Sequence, residues 1–321
     1  SIRGEGMKKS ITLFTAILSI FFLLIGCSAK GDEKASATKT EKGKEKIEIT
    51  DLSGRKVTFD KVPESFATLS MGDMDIIHAL GGKIVGRPDT KLTLPEELKK
   101  AQVIGNAHQP NFEQIASLKP DVLVANNGFQ KNVPTVEGQG TQVIISSANS
   151  VQDIQKNIEL YGTVMKKEDK AKEINQKMND QMKKYEKKSD VKALLVYGAP
   201  GTYLAALPTS LSGDILEKTG GKNIASDFPE MKEYPQYAQL SVERIIEANP
   251  DVIYLITHGD PTSVKKAFEG EMMKNEAWKN LDAVKQNRVV ILPPDLFGSN
   301  PGTKVTEAMD FMYKSIQDVR K

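Results

Sequence analysis

Apolar and polar residues alternate over Lys46 to Leu52 and again over Arg55 to Phe59, with Ser53-Gly54 between them, which predicts a β-hairpin. Phe66 to Ser70 is a short apolar run and reads as a strand. Asp73 to Leu80 shifts to helical spacing, and Gly81-Gly82 ends it. Lys83 to Gly86 is another short strand. From there strands and helices alternate, a pattern that predicts an α/β fold with largely parallel sheets.

The chain contains an internal repeat. Asn111 to Val124 resembles Ser241 to Tyr254 at an offset of 130 residues, with five of 14 positions identical: Glu113/Glu243, Ile115/Ile245, Pro120/Pro250, Asp121/Asp251 and Val122/Val252. Each copy reads as a short helix, a Pro-Asp turn and a buried strand, because proline lacks the amide donor that continuing the helix would need. One copy in each half predicts two similar α/β lobes. Between them Val151, Ile154, Ile158, Tyr161 and Met165 follow helical spacing. The pattern breaks around Lys167 to Asp169 and resumes with Ala171, Ile174, Met178, Met182 and Tyr185. The second segment, charged on its other faces, spans roughly 30 Å at ~1.5 Å per residue, which suits a strut between lobes, although a surface helix has the same spacing. In the second half, Ala193 to Tyr197 and Tyr203 to Leu207 read as strands, Leu211 to Thr219 as a helix closed by Gly220-Gly221, and a last helix starts near Thr303 after Pro301-Gly302.

The start of the chain has a different character. Residues 1–6 precede Met7 and read as an upstream extension. Lys8 and Lys9 are followed by an apolar stretch, Ile11 to Ile25, short for a membrane span and typical of a signal peptide. It ends Leu24-Ile25-Gly26-Cys27, which fits a bacterial lipobox whose cysteine is diacylated; a plain secretory signal with an incidental cysteine is the other reading. Residues 28–46 have almost no large apolar side chains and read as a flexible tether. The expected organisation is therefore extension 1–6, signal peptide 7–26, lipidated tether 27–46, N-terminal lobe 47–167, connecting helix 168–188 and C-terminal lobe 189–321.

Composition narrows the chemistry. The 321 residues are 39% hydrophobic and 27% charged with net charge +2, which excludes wholesale disorder and a strongly basic nucleic-acid binder. One cysteine leaves no disulfide framework or Cys-rich metal site. No P-loop, dinucleotide fingerprint, nucleophile elbow or His-Glu-x-x-His is present, and Gly198-Ala-Pro-Gly201 reads as a turn. Three histidines remain. His78 lies within a helix and reads as outward-facing or edge-packed. His108, in Ile104-Gly-Asn-Ala-His-Gln-Pro110, and His258, in Leu255-Ile-Thr-His-Gly-Asp-Pro261, each sit in a loop at a strand end, where open α/β sheets bind ligands. Two imidazoles facing across a cleft suit the axial positions of a haem iron; two loop histidines with no common role have the same pattern.

From Ile47 to Lys321 the chain resembles bacterial binding proteins for iron complexes, haem and cobalamin, of the class III periplasmic-binding-protein fold. Ile84-Val-Gly-Arg-Pro88, Ile104 to Asn111, Gly198 to Leu204, His258-Gly-Asp-Pro261 and Pro293 to Gly298 resemble the haem-binding lipoproteins of Gram-positive haem ABC importers. The resemblance implies two lobes joined by one long helix, with haem held between them by one axial ligand from each. The family offers Met or His in the first loop and His in the second; here the positions read His108 and His258, so bis-histidine ligation is expected. Tyr203 and Phe297 are implied as porphyrin-wall residues, with Met71 as a further candidate. Glu113 and Glu243 are implied to dock on the permease dimer. The implied function is a haem receptor, lipid-anchored at Cys27 on the outer face of the cell membrane, that passes haem from cell-wall haem-transfer proteins to a permease without catalysis or nucleic acid. The alternatives are a ferric-siderophore receptor, disfavoured by only six arginines; a cobalamin receptor; a Zn²⁺ or Mn²⁺ receptor, disfavoured by the histidine count; and, least of all, an enzyme.

Overall fold

The computed structural model describes residues 45–185, 188–199 and 201–321. The extension, the signal segment, Cys27 and all but the end of the tether lie outside the described residues.

The first hairpin forms as the alternation predicts, with β1 (Ile47–Thr50) antiparallel to β2 (Lys56–Phe59). Asp51 organises its turn: Oδ1 accepts the Ser53 and Arg55 N–H groups, each at 3.0 Å, and Oδ2 accepts the Ile145 N–H at 3.0 Å, which ties the hairpin to the first sheet. That sheet belongs to the N-terminal lobe. Its elements in chain order are β3 (Phe66–Thr68), α1 (Met71–Ala79), β4 (Ile84–Arg87), α2 (Glu96–Lys99), β5 (Gln102–Val103), α3 (Phe112–Leu118), β6 (Val122–Ala125), α4 (Val133–Gly138) and β7 (Gln142–Ile145). The strands lie in the order β5-β4-β3-β6-β7 and all pairings are parallel. All four residues of β6 are buried, as expected for a parallel strand covered on both faces.

Next come α5 (Val151–Met165) and α6 (Glu168–Met182), which fold back on each other around Lys166 in the left-handed region (φ 55°). Gln155 Nε2 donates to Asn179 Oδ1 at 2.8 Å, and Asn175 Nδ2 donates to the Gln155 carbonyl at 3.0 Å. A Cβ on Gly162 would meet Ala171 Cβ at 2.6 Å, so glycine permits this approach. The connecting helix is shorter than its apolar spacing implies. α6 has 15 residues, about 22 Å, and tightens into a 3₁₀ turn, Lys183–Tyr185, well before Lys188. The turn buries Tyr185, whose ring centroid lies 4.8 Å from that of Tyr313 and whose hydroxyl donates to Asp310.

The C-terminal lobe comprises β8 (Lys192–Ala199), β9 (Thr202–Ala206), α7 (Leu211–Lys218), β10 (Lys222–Asn223), β11 (Tyr237–Gln239), α8 (Val242–Ala248), β12 (Val252–Thr257), α9 (Pro261–Met272), α10 (Asp282–Lys285), β13 (Val289–Ile291), α11 (Pro294–Phe297) and α12 (Val305–Val319). Its sheet runs β11-β9-β8-β12-β13, with β10 beside β8. β8, β10, β12 and β13 pair in parallel, whereas β9 is antiparallel to both neighbours. One apolar cluster crosses the molecule, with Phe66, Ile76 and Tyr161 from the first lobe and Leu195, Tyr254 and Met309 from the second. Each lobe also has an outer core of its own.

The repeat proves to be structural. Asn111 and Ser241 cap α3 and α8 by accepting the Gln114 and Arg244 N–H groups. Lys119 and Asn249 end the helices in the left-handed region, at φ 44° and 47°. Asp121 Oδ2 accepts the Glu64 N–H at 2.7 Å, and Asp251 Oδ2 accepts the Lys192 N–H at 2.8 Å. In both lobes the aspartate thus holds the chain entering the neighbouring strand.

Candidate functional site

Parallel strands carry their loops to one edge, and both candidate histidines stand on such loops. The His108 loop is tightly built. Gly105 bridges to Pro110, the Asn106 N–H donates to the Gln109 carbonyl at 3.2 Å, and Asn106 Oδ1 accepts the His108 and Gln109 N–H groups at 2.9 Å each. Gly105 adopts φ 86°, and a Cβ there would lie 2.2 Å from the Gln109 carbonyl oxygen. The loop therefore needs glycine at 105 and presents His108 exposed. His258 follows β12 directly. Its N–H donates to the Gly198 carbonyl at 2.8 Å, which extends the sheet by one bond. Gly259 (φ 113°) then turns the chain, and Asp260 caps α9 by accepting the Ser263 N–H at 2.9 Å. Hydrogen bonds from Ser263 hold the Asp260 carboxyl below its ordinary value, so it stays ionised. Among the described residues neither imidazole of this pair has a hydrogen bond or ion pair.

Both histidines line one cleft of about 940 Å³ between the lobes. The N-terminal lobe contributes Ser70, Met71 and His108, and the C-terminal lobe His258, Ser299 and Asn300. The volume lies near the upper end of ligand pockets, ~300–1,000 Å³, and suits a large cargo. Lys91 is the cationic side chain of the lining, opposed by Asp89 and Asp260. Among the described residues no group of three or more His, Cys, Asp or Glu comes close enough to hold a metal ion.

Two site expectations meet a different geometry. Tyr203 lies outside the cleft: β9 places it over Gly198, and its ring meets Phe268 edge-on at 5.3 Å in the outer core. Phe297 is buried against Phe311 at 6.2 Å and lines a smaller adjoining cavity of about 150 Å³. The aromatic beside His258 is instead Tyr197, with ring centroids 6.3 Å apart. Tyr197 also packs against Tyr237, ring centroids 5.4 Å apart and planes tilted by 49°, and burial pushes its hydroxyl above the ordinary tyrosine value. Sequence reading missed Tyr197, Lys91 and Asn300. Lys91 and Asn300 stand on loops, which the rule that ligands bind at strand ends would have flagged. His78 is partly exposed on α1, with Nε2 3.7 Å from a Glu97 carboxylate oxygen, and lies apart from the other two histidines.

Glu113 and Glu243 occupy matching first-turn positions of α3 and α8, are exposed, and among the described residues have no ion-pair partner. Connections of three residues, 119–121 and 249–251, turn each helix back along its strand. Each glutamate therefore lies toward the edge of the sheet where β6 and β12 end, the edge that carries the cleft.

The two-lobed α/β architecture with a cleft at the strand ends defines a class III binding protein. A sequence profile of the periplasmic binding proteins matches residues 67–296, and the chain belongs to that family as the substrate-binding protein of an ABC importer. It is 30% identical over 262 residues to the high-affinity heme uptake system protein IsdE of Staphylococcus aureus, covering 79% of this chain and 86% of that one. The crystal structure of S. aureus IsdE complexed with heme matches with TM-score 0.68 and 28% identity, over 79% of this chain and 98% of the other. An ABC transporter substrate-binding protein from Listeria monocytogenes matches with TM-score 0.69 and 28% identity, over 80% and 100%. S. aureus SirA complexed with staphyloferrin B matches with TM-score 0.67 and 25% identity, over 84% and 98%.

Proposed function

We propose that this chain is a haem receptor, bound to the outer face of the membrane through diacylated Cys27, that delivers haem to an ABC permease. The observation that carries the reading is that His108 and His258, one from each lobe, line the same cleft and, among the described residues, have no hydrogen-bond or ion-pair partner. Two neutral imidazoles are the donor set of a six-coordinate, low-spin haem with no open site for oxygen chemistry, which suits carriage. Tyr197 packs beside His258 from the adjoining cavity of about 150 Å³, and within the cleft Lys91 offers a cation to a cargo carboxylate. The likeness to IsdE supports the same cargo. The likeness to SirA keeps a ferric siderophore as the second reading. Against it, Lys91 is, among the described residues, the only lysine or arginine in the cleft lining, which gives a polyanionic chelate little to bind.

Titration with haemin tests the proposal. The parent protein is expected to give a sharp low-spin spectrum at one equivalent. His108→Ala and His258→Ala are each expected to lose that spectrum and to bind at least about tenfold more weakly, roughly 1.4 kcal/mol. No Soret shift in the parent at stoichiometric haemin would sink the proposal. Glu113 and Glu243 are assigned to the permease contact, where carboxylates on two matched lobes can meet arginines of a twofold dimer.

A further inference from the structure

Two carboxylates reach across the lobe boundary in opposite directions. Asp75 stands on α1 of the N-terminal lobe, and its Oδ2 accepts the Thr303 N–H at 2.7 Å and the Thr303 hydroxyl at 2.5 Å, in the 3₁₀ turn Gly302–Lys304 that opens α12 of the C-terminal lobe. Asp214 stands on α7 of the C-terminal lobe, and its Oδ2 accepts the Val151 N–H at 2.8 Å, at the first residue of α5 in the N-terminal lobe. The first N–H groups of a helix have no partner inside it, and an anion there is favoured by the helix dipole. Each lobe thus supplies the acceptor that completes a helix of the other.

The exchange follows the internal symmetry. β3 pairs with repeat strand β6 as β8 pairs with repeat strand β12. α1 follows β3, and α7 follows the β8-β9 hairpin; both helices are capped by serine, Ser70 and Ser210. α5 comes after β7, and α12 comes after β13. The Asp75 contact is close-packed down to the backbone. A Cβ on Gly72 would stand 2.2 Å from Asn300 Cγ, and one on Gly302 (φ 62°) would stand 2.6 Å from the Gly72 carbonyl.

Both ties border the cleft without entering it. Asp75 lines a cavity of about 370 Å³ that shares Met71, Ser299 and Asn300 with the cleft. Beside the Asp214 tie, Asn149 and Leu211 line the 150 Å³ cavity, which also shares Ser299 and Asn300. The lobes already share an apolar cluster and the connecting helix, and two further ties at different helices restrict their relative rotation more than one does. We propose that Asp75 and Asp214 form a reciprocal clasp that sets the separation of the cleft walls, and that both are positioning residues for the cargo.

The test uses the full chain with Cys27→Ser and spin labels on Ser117→Cys of α3 and Glu247→Cys of α8, both exposed. Electron–electron dipolar spectroscopy on the cargo-free protein is expected to give a narrow interlobe distance distribution. Asp75→Ala and Asp214→Ala should each broaden it, and the pair should broaden it by about twofold or more. Asp75→Asn and Asp214→Asn keep an acceptor oxygen and should restore the narrow distribution, which loss of fold would not. Equal widths in the alanine pair and the parent, or asparagine variants as broad as alanine, would overturn the clasp. If the alanine pair does not fold, unchanged widths in both single variants overturn it equally. Haemin release should accelerate in the same order, by about tenfold in the pair, with the low-spin spectrum intact because His108 and His258 remain. That readout rests on the haem reading and the label distances do not, so failure of one is told apart from failure of the other.

Discussion

Asp73 is a buried carboxylate held by three hydroxyls. Ser70 donates at 2.5 Å, Tyr161 at 2.5 Å and Ser146 at 2.9 Å. Burial outweighs these bonds and raises its carboxyl above the ordinary aspartate value. The carboxyl therefore holds its proton more tightly in the folded chain than in the unfolded one. Its contribution to stability is greatest at low pH and is lost as pH rises from the unfolded value, about 3.9, through the raised folded value. Asp73→Asn carries no such proton, so the stability of the parent minus that of the variant should fall over this window. Urea midpoints taken stepwise from about pH 4 to neutral read the difference, and one independent of pH would contradict the raised value. At the His108 loop, Gly105→Ala should cost about 1–3 kcal/mol through its positive φ and the clash with Gln109, and weaken haemin binding with it; an unaltered melting temperature would show that the loop relaxes freely. At this scale the place of the histidine loops and Met71 at one cleft was legible, because all three follow strand ends. Asp73 was not: a carboxylate in a first helical turn looks like any dipole-favoured acid, and only tertiary packing encloses it. Tyr203 and Phe297 went astray for a related reason, since membership of a strand or turn does not say which core a ring will enter.

At the scale of elements, the repeat was legible because its identities are the residues its geometry needs: an apolar anchor, a helix-stopping proline and an aspartate that accepts a backbone N–H. Ile115 and Ile245 are both buried. Asp121→Ala and Asp251→Ala each leave one strand-entry N–H without its acceptor and should each cost about 1–2 kcal/mol. Chemical denaturation of the two variants reads the losses, and a neutral result in either lobe would reduce that aspartate to an incidental turn residue. The connecting helix was overextended because helical spacing of apolar residues continues through Tyr185. Spacing cannot tell α from a 3₁₀ turn when the last apolar residue is reached by tightening the chain. Nor did spacing reveal that α5 and α6 pack antiparallel. That contact depends on Gly162 and Ala171, small residues that carry almost no hydrophobic signal.

At the scale of the molecule, two lobes of common plan give two matched surfaces, which supports the proposal, implied by the family resemblance, that Glu113 and Glu243 meet a partner of twofold character. Their surroundings differ. Glu113 neighbours exposed Phe112, which stacks on Phe129 at 5.8 Å. Glu243 neighbours Arg244, whose guanidinium lies 5.6 Å from the centre of the Phe228 ring. Two matched carboxylates can engage two like arginines at once, and the second contact then forms at the high effective concentration set by the first. Losing either carboxylate should therefore cost most of the avidity, and losing both little more. The expected outcome is that Glu113→Ala and Glu243→Ala bind haemin as the parent does, while each lowers haem uptake in cells by about tenfold. The double variant should fall only slightly further. Independent, additive losses would mean that the two lobes dock separately. Full uptake in the double variant would remove both glutamates from the interface and leave the cleft assignment untouched, because neither carboxylate lines the cleft.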